Sequence, residues 1–302
     1  MTNLKIAPGL LGSVVAAVFA TGAYAQNYQI TKDMEVGLSG TQTMHVDMLQ
    51  PNHAAVPTPV IFMIHAGGWK DGTYHGSFGR GNFYDKGYTI VSIEYHPAGG
   101  NARWPVQLYD CLRAIRWMRS NAAKYNVDPD RFAVGGDSAG AHLAACVGLY
   151  ADDAKYQEKD NYPGVSAKVQ AVFCGDGPLD IITSEKANTN PKYRWNIENL
   201  IGGGPDKFPE AWSEACIVNH VSKSLPPFFV VHGDQDNVVP IAESQRFADE
   251  MTKVGATVEF IPVKGGGHDA LAHPNAISPT GTEVLRRLAD FLQKHIGSAA
   301  TK

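Results

Sequence analysis

Arg131-Phe132-Ala133-Val134-Gly135-Gly136-Asp137-Ser138-Ala139-Gly140 is an apolar run closing in Gly-x-Ser-x-Gly, followed by the small, apolar Ala141, Leu143, Ala144, Ala145, Cys146 and Val147. Such a run reads as strand, sharp turn and helix. Residues flanking the serine of so tight a turn must lack bulk, and the strained backbone pushes the hydroxyl out above the sheet. Ser138 is therefore a candidate nucleophile, and the strand beneath it belongs to a buried parallel sheet.

Outward from this point, apolar and turn patterns alternate in strand–helix order. Residues 60–64, 89–93, 132–135, 169–173 and 228–231 are short continuous apolar runs, 43–49 alternates as a half-exposed strand, and 257–262 closes the series. This is the pattern of an α/β fold, a mostly parallel central sheet flanked by helices on both faces. Between the strands, residues 105–120 carry Leu108, Cys111, Leu112, Ile115 and Met118 on one helical stripe, with Arg113, Arg116 and Arg119 outside it. Pro240 suits the first turn of a later helix that Gly255 ends. The last helix buries Val284, Leu285, Leu288, Phe291 and Leu292. Gly175 to Pro227 is too long for one connection, and is expected to form a lid or substrate-binding insertion offering Tyr193, Trp195 and Trp212.

A serine hydroxyl needs a base, and the base needs a carboxylate to hold its tautomer. Both belong on loops after later strands, in the order Ser, Asp, His. The strand at 228–231 is followed by His232-Gly233-Asp234-Gln235-Asp236-Asn237-Val238-Val239-Pro240, and the final strand by Gly265-Gly266-Gly267-His268. His268 is the expected general base. Asp236 and Asp234 compete for the acid; Asp236 is favoured because it immediately precedes the next helix, while Asp234 suits bracing of the turn. His65-Ala66-Gly67-Gly68-Trp69 ends the strand at 60–64, so Gly67 and Gly68 with Ala139 are the expected oxyanion donors, and Trp69 a substrate contact.

The chain has 302 residues and a formal net charge of −4. Its basic residues are scattered, which argues against nucleic acid or an anionic membrane as partner. Lys5, the apolar stretch Leu10 to Ala20 and Ala23-Tyr24-Ala25 form an expected signal peptide over residues 1–25, leaving one domain from Gln26 to Lys302 and an exported protein. The four cysteines lack the clustered spacing of a disulfide framework and are expected mostly as buried thiols. No phosphate loop, dinucleotide fingerprint or His-Glu-x-x-His pattern is present, so no cofactor or metal is implied.

The His65–Trp69 loop, the Gly136–Gly140 elbow, Asp236 before Val238-Val239-Pro240 and Gly267-His268 resemble α/β-hydrolases of the hormone-sensitive-lipase and bacterial feruloyl-esterase type. Asn126-Val127-Asp128-Pro129-Asp130-Arg131 looks like the same group. The resemblance spans roughly Gln42 to His295. It implies a serine carboxylesterase with Ser138, Asp236 and His268 as triad, and Gly67, Gly68 and Ala139 as oxyanion donors. Two departures stand out: Ala66 replaces the first oxyanion-loop glycine, and Tyr95-His96-Pro97 replaces the usual Tyr-Arg. With only about 30 residues between the expected signal peptide and the strand leading to His65, the N-terminal cap of hormone-sensitive-lipase relatives is expected to be absent. That favours the feruloyl/acetyl-xylan branch, with an open site and small-molecule or polysaccharide esters as substrates. A prolyl-oligopeptidase-type peptidase and a catalytically silent binding protein are the competing readings.

Overall fold

The computed structural model describes residues 28–78, 83–157, 161–183, 190–269 and 278–298; the expected signal peptide lies outside them. The strands are β1 (Tyr28–Ser39), β2 (Gln42–Pro51), β3 (Thr58–Ile64), β4 (Thr89–Ile93), β5 (Val127–Asp137), β6 (Ala171–Gly175), β7 (Phe228–Gly233) and β8 (Val258–Val263). They form one sheet in the order β1-β2-β4-β3-β5-β6-β7-β8. β1 and β2, and β2 and β4, pair antiparallel; every later pair is parallel. All seven residues of β3 and all five of β4 are buried, as continuous apolar strands inside a covered sheet must be.

Among the differences from the sequence expectation, three have a direct structural cause. β1 was not expected: its polar, half-exposed face and two register irregularities blur the alternation that marks a strand. β5 begins at Val127, because Thr58 pairs with Val127 before the apolar run starts. β6 begins at Ala171 rather than residue 169, since Gln170 is engaged otherwise: its backbone N–H donates to Phe132 O, and its side-chain oxygen accepts from Phe132 N.

The helices are α1 (Val106–Ser120), α2 (Ala139–Tyr150), α3 (Pro191–Ile201), α4 (Pro209–Ala215), α5 (Ile241–Lys253) and α6 (Gly281–Ile296). α1, α2 and α5 bury their apolar stripes in the cluster on one face of the sheet; α6 covers the other, with Phe83 and Tyr88. Pro240 proves to be the N-cap of α5 rather than part of its first turn. Arg113 and Arg116, outside the apolar stripe of α1, are nevertheless buried. Arg113 pairs with Asp110, and Arg116 donates to Val165 O and Ala151 O, so loop carbonyls take the place of water.

α3 and α4 come from the expected insertion, and their apolar residues join the main core. Tyr193, Ile197, Leu200 and Trp212 are buried there, and Leu200 O accepts from Trp104 N. All four cysteines are free and buried, Cys111 on α1, Cys146 on α2, Cys174 on β6 and Cys216 after α4. Among the described residues no helix is long and apolar enough to cross a membrane.

Candidate active site

Ser138 stands between β5 and α2 with φ 54° and ψ −121°, the left-handed backbone of a strand-to-helix elbow. Two glycines make the turn possible. A Cβ on Gly136 would lie 2.4 Å from Ile64 O, and one on Gly140 2.1 Å from the same oxygen. Backbone from β3 therefore presses directly against the elbow, and only glycine leaves room for it.

The loops after β7 and β8 meet in the same way. A Cβ on Gly233 would lie 2.3 Å from Gly266 O and 2.4 Å from Gly267 O. Gln235 N donates to Gly266 O, and Gly265 N donates to Asp234 Oδ1 at 2.7 Å. Asp234 thus braces the two loops together, while Asp236 turns inward.

The three expected triad residues come together. His268 Nε2 lies 2.9 Å from Ser138 Oγ, and His268 Nδ1 lies 2.7 Å from Asp236 Oδ2. An ionised carboxylate can only accept, so the proton sits on Nδ1 and Nε2 faces the serine hydroxyl as acceptor. Asp236 Oδ1 accepts from Val238 N and Val239 N, at 2.7 and 3.0 Å. Burial pushes the Asp236 carboxyl upward, but hydrogen bonds from His232 and His268, the electrostatic attraction of the His268 ring and the Val238 amide outweigh it. The group is held far below the ordinary carboxylate range, ionised at any working pH.

His232 had no expected role, yet its Nε2 lies 3.2 Å from Asp236 Oδ2 and 3.0 Å from Val239 O. Its Nδ1 lies 2.7 Å from Ser244 Oγ on α5. Burial lowers its affinity for a proton, and the bond to Asp236, the nearby Asp176 charge and the Val239 carbonyl more than restore it. Asp176 in turn accepts from Gly233 N. Asp176, His232 and Asp236 are close enough together to suit a cation, but this imidazole already bridges Ser244 and the triad carboxylate.

A cleft of about 490 Å³ opens above Ser138 and His268. Gly67 and Gly68 line it, with φ of 119° and 59°. Positive φ in this loop begins at Gly67, so alanine at position 66 is accommodated without strain. Ala139 is the first residue of α2, and its N–H has no acceptor within the helix. The cleft wall is mixed: Asp71, Asn190, Lys192, Asn196 and Asp269 stud it among Ala66, Tyr193 and Val238. The asparagines and lysine of this wall escaped the sequence reading, because nothing in their spacing marks them.

The four expected aromatic contacts divide. Tyr193 edges the cleft, although its hydroxyl is turned into the core and donates to Glu243. Trp195 is 49% exposed, with the Lys70 ammonium 5.2 Å from its ring centroid. Trp69 and Trp212 are corrected. Trp212 is a core residue whose indole donates to Gly203 O, and Trp69 is turned beneath the glycine loop rather than into the cleft. An aromatic beside flexible glycines reads alike whether its ring points inward or outward.

A family model described as BD-FAE matches residues 46–251. Esterase LipC of Mycobacterium tuberculosis is 31% identical over 70% of this chain and 53% of its own length. Esterase LipQ of the same organism is 30% identical over 87% of this chain and 62% of its own. The chain therefore spans little more than half the length of these relatives. A truncated carbohydrate esterase from gut microbiota superposes with a TM-score of 0.76 at 26% identity, over 88% of this chain and 95% of that one. The bifunctional GH43-CE of Bacteroides eggerthii gives 0.75 at 28% identity, over 88% of this chain and 38% of that one. The matched region holds the elbow, the glycine loop and the Asp236 turn, and the chain belongs to the BD-FAE family of α/β-hydrolase esterases.

Proposed function

We propose that this chain is an exported serine carboxylesterase that removes short acyl or feruloyl groups from plant polysaccharides through an acyl-enzyme. The observation that carries the reading is the unbroken relay from Ser138 through His268 to Asp236 at the floor of the cleft. His268 takes the Ser138 proton as Oγ attacks the ester carbonyl. The amides of Gly68, Gly67 and Ala139 receive the oxyanion. His268 then protonates the leaving alcohol, and a water activated by the same imidazole releases the acid.

The cleft wall supports a hydroxylated alcohol half: Lys192 and Asn196 offer hydrogen bonds where a lipid would need apolar surface. Beyond it, a shallow groove of about 200 Å³ carries Trp195 with Arg103, Glu198 and Asn199, an aromatic face fringed by polar groups that suits a sugar ring. The likeness to a structure named as a carbohydrate esterase points the same way. The test is a panel of acetyl, feruloyl, glucuronoyl and palmitoyl esters and peptide amides, together with acetylated xylan. Hydrolysis confined to acetyl or feruloyl substrates, and abolished in Ser138→Ala, is expected; activity on peptide amides instead would overturn the reading.

A further inference from the structure

Gly67, Gly68 and Trp69 occupy the left-handed region one after another, with φ of 119°, 59° and 60°. The glycines adopt it freely. A tryptophan does not, and persists there only where its surroundings impose the conformation. Two contacts do so. Trp69 O accepts from Ala98 N at 2.7 Å, and the Trp69 indole N–H donates to His142 Nδ1 at 3.3 Å.

His142 lies on α2 one turn beyond Ser138, its own amide donating to Ser138 O. The side chain is fully buried. Its Nε2 lies 2.8 Å from Ala215 O at the end of α4, a group that can only accept. The ring proton therefore sits on Nε2, and Nδ1 is left as the acceptor the indole requires. Trp69 and Trp104 meet the ring edge-on, with centroids 5.2 and 5.8 Å away. Cys146 Sγ lies 3.9 Å from each ring nitrogen. Burial, only partly offset by the Ala215 carbonyl, holds this imidazole's pKa down to about 4, so it stays neutral where esters are hydrolysed.

We propose that His142 is the positioning residue of the oxyanion loop: it clamps the Trp69 indole and thereby keeps the Gly68 amide aimed above Ser138. The proposal rests on the esterase reading for its catalytic consequence, but the clamp itself is a property of the fold. Three elements meet in one ring. α2 supplies the imidazole, α4 sets its tautomer, and the loop after β3 hangs from it. Side-chain packing alone would not need a histidine here; an acceptor facing the indole and a donor facing Ala215 O would.

The experiment has two arms. In the first, independent of activity, the Trp69 indole N–H is assigned as the proton–nitrogen resonance lost in Trp69→Phe. Slow solvent exchange in the wild-type chain, and a shifted, faster-exchanging resonance in His142→Phe, are expected. In the second, His142→Phe and Trp69→Phe are assayed on a nitrophenyl acetate, with phenylboronic acid binding as a measure of affinity for the tetrahedral adduct. Each variant should lose about 10- to 100-fold in kcat and a similar factor in boronate affinity, below the loss of a whole oxyanion donor, with KM changed less than about twofold. The double variant should be no worse than the poorer single one. His142→Gln, whose amide offers both an acceptor and a donor, should recover most of the loss, and it carries the test should His142→Phe not fold. A fast-exchanging indole in the wild-type chain overturns the clamp. A lowered Tm with unchanged kcat, or additive losses in the double variant, overturns its catalytic role even if the clamp exists. A wild-type chain inert on every ester, with a protected indole, instead overturns the esterase reading and leaves the clamp standing.

Discussion

Asp236 receives two backbone amides on one oxygen and two imidazoles on the other. Replacing it by Asn offers His268 a donor where it needs an acceptor, so turnover in Asp236→Asn should fall by about 10³- to 10⁴-fold at neutral pH. Asp234→Asn should keep near-normal turnover in the folded fraction, because the Asp234 side chain bonds the Gly265 amide and the neighbouring Gln235 rather than His268. The assay is kcat for both variants on one nitrophenyl ester; the reverse ranking would exchange their roles. The depressed pKa of Asp236 also has a thermodynamic sign. Its contribution to stability is complete above about pH 4, the unfolded value, and is lost as the pH falls toward the folded one. Denaturant titrations from pH 6 downward should show a shallower acid-side decline in Asp236→Asn than in the wild-type chain. The three triad residues were legible because each sits in a short loop directly after an apolar strand, where position in the chain dictates position in space. His142 and His232 were not: their roles depend on Ala215 and Ser244, partners that no local spacing links to them.

At the scale of elements, the junctions rather than the strands and helices set the precision of the site. A methyl group on Gly140 would meet backbone carbonyls of Ile64 and His65, which cannot rotate away. Gly140→Ala should therefore cost about 1–3 kcal/mol, as overpacking does, and lower Tm by several degrees in a thermal melt. α3 serves two surfaces at once. Lys192, Tyr193 and Asn196 face the cleft, while Trp195, Glu198 and Asn199 face the neighbouring groove. If that groove holds a second sugar, Trp195→Ala should raise KM for acetylated xylan several-fold and leave kcat/KM for a nitrophenyl acetate unchanged; equal effects on both would remove the groove from substrate binding. The continuous apolar strands could be read directly from composition. β1 could not, since an edge strand with polar residues on one face and irregular register carries no period to detect. Nor could the placement of α3 and α4, whose aromatic residues serve the core as readily as a ligand.

For the whole molecule, the comparison that matters is between a cleft studded with polar groups and an apolar tunnel. A tunnel rewards chain length, because each buried methylene contributes about 0.8 kcal/mol. The cleft here is studded with Asp71, Asn190, Lys192 and Asn196, and offers no such gradient. The ratio of kcat/KM for acetyl to palmitoyl esters should accordingly lie well above one; a ratio below one would make the chain a lipase. The four cysteines carry a consequence of a different kind. Their thiols are sealed in α1, α2, β6 and the turn after α4, and burial raises every one of them, Cys216 to about 12. A thiolate, not a thiol, attacks an alkylating reagent. The native chain is then nearly inert to such reagents, and each sulfur becomes a silent clock that starts only when its own part of the fold opens. Mass spectrometry after a brief alkylation pulse would read four separate opening rates from unlabelled protein, showing whether the segment between β6 and β7 comes apart before the sheet or together with it.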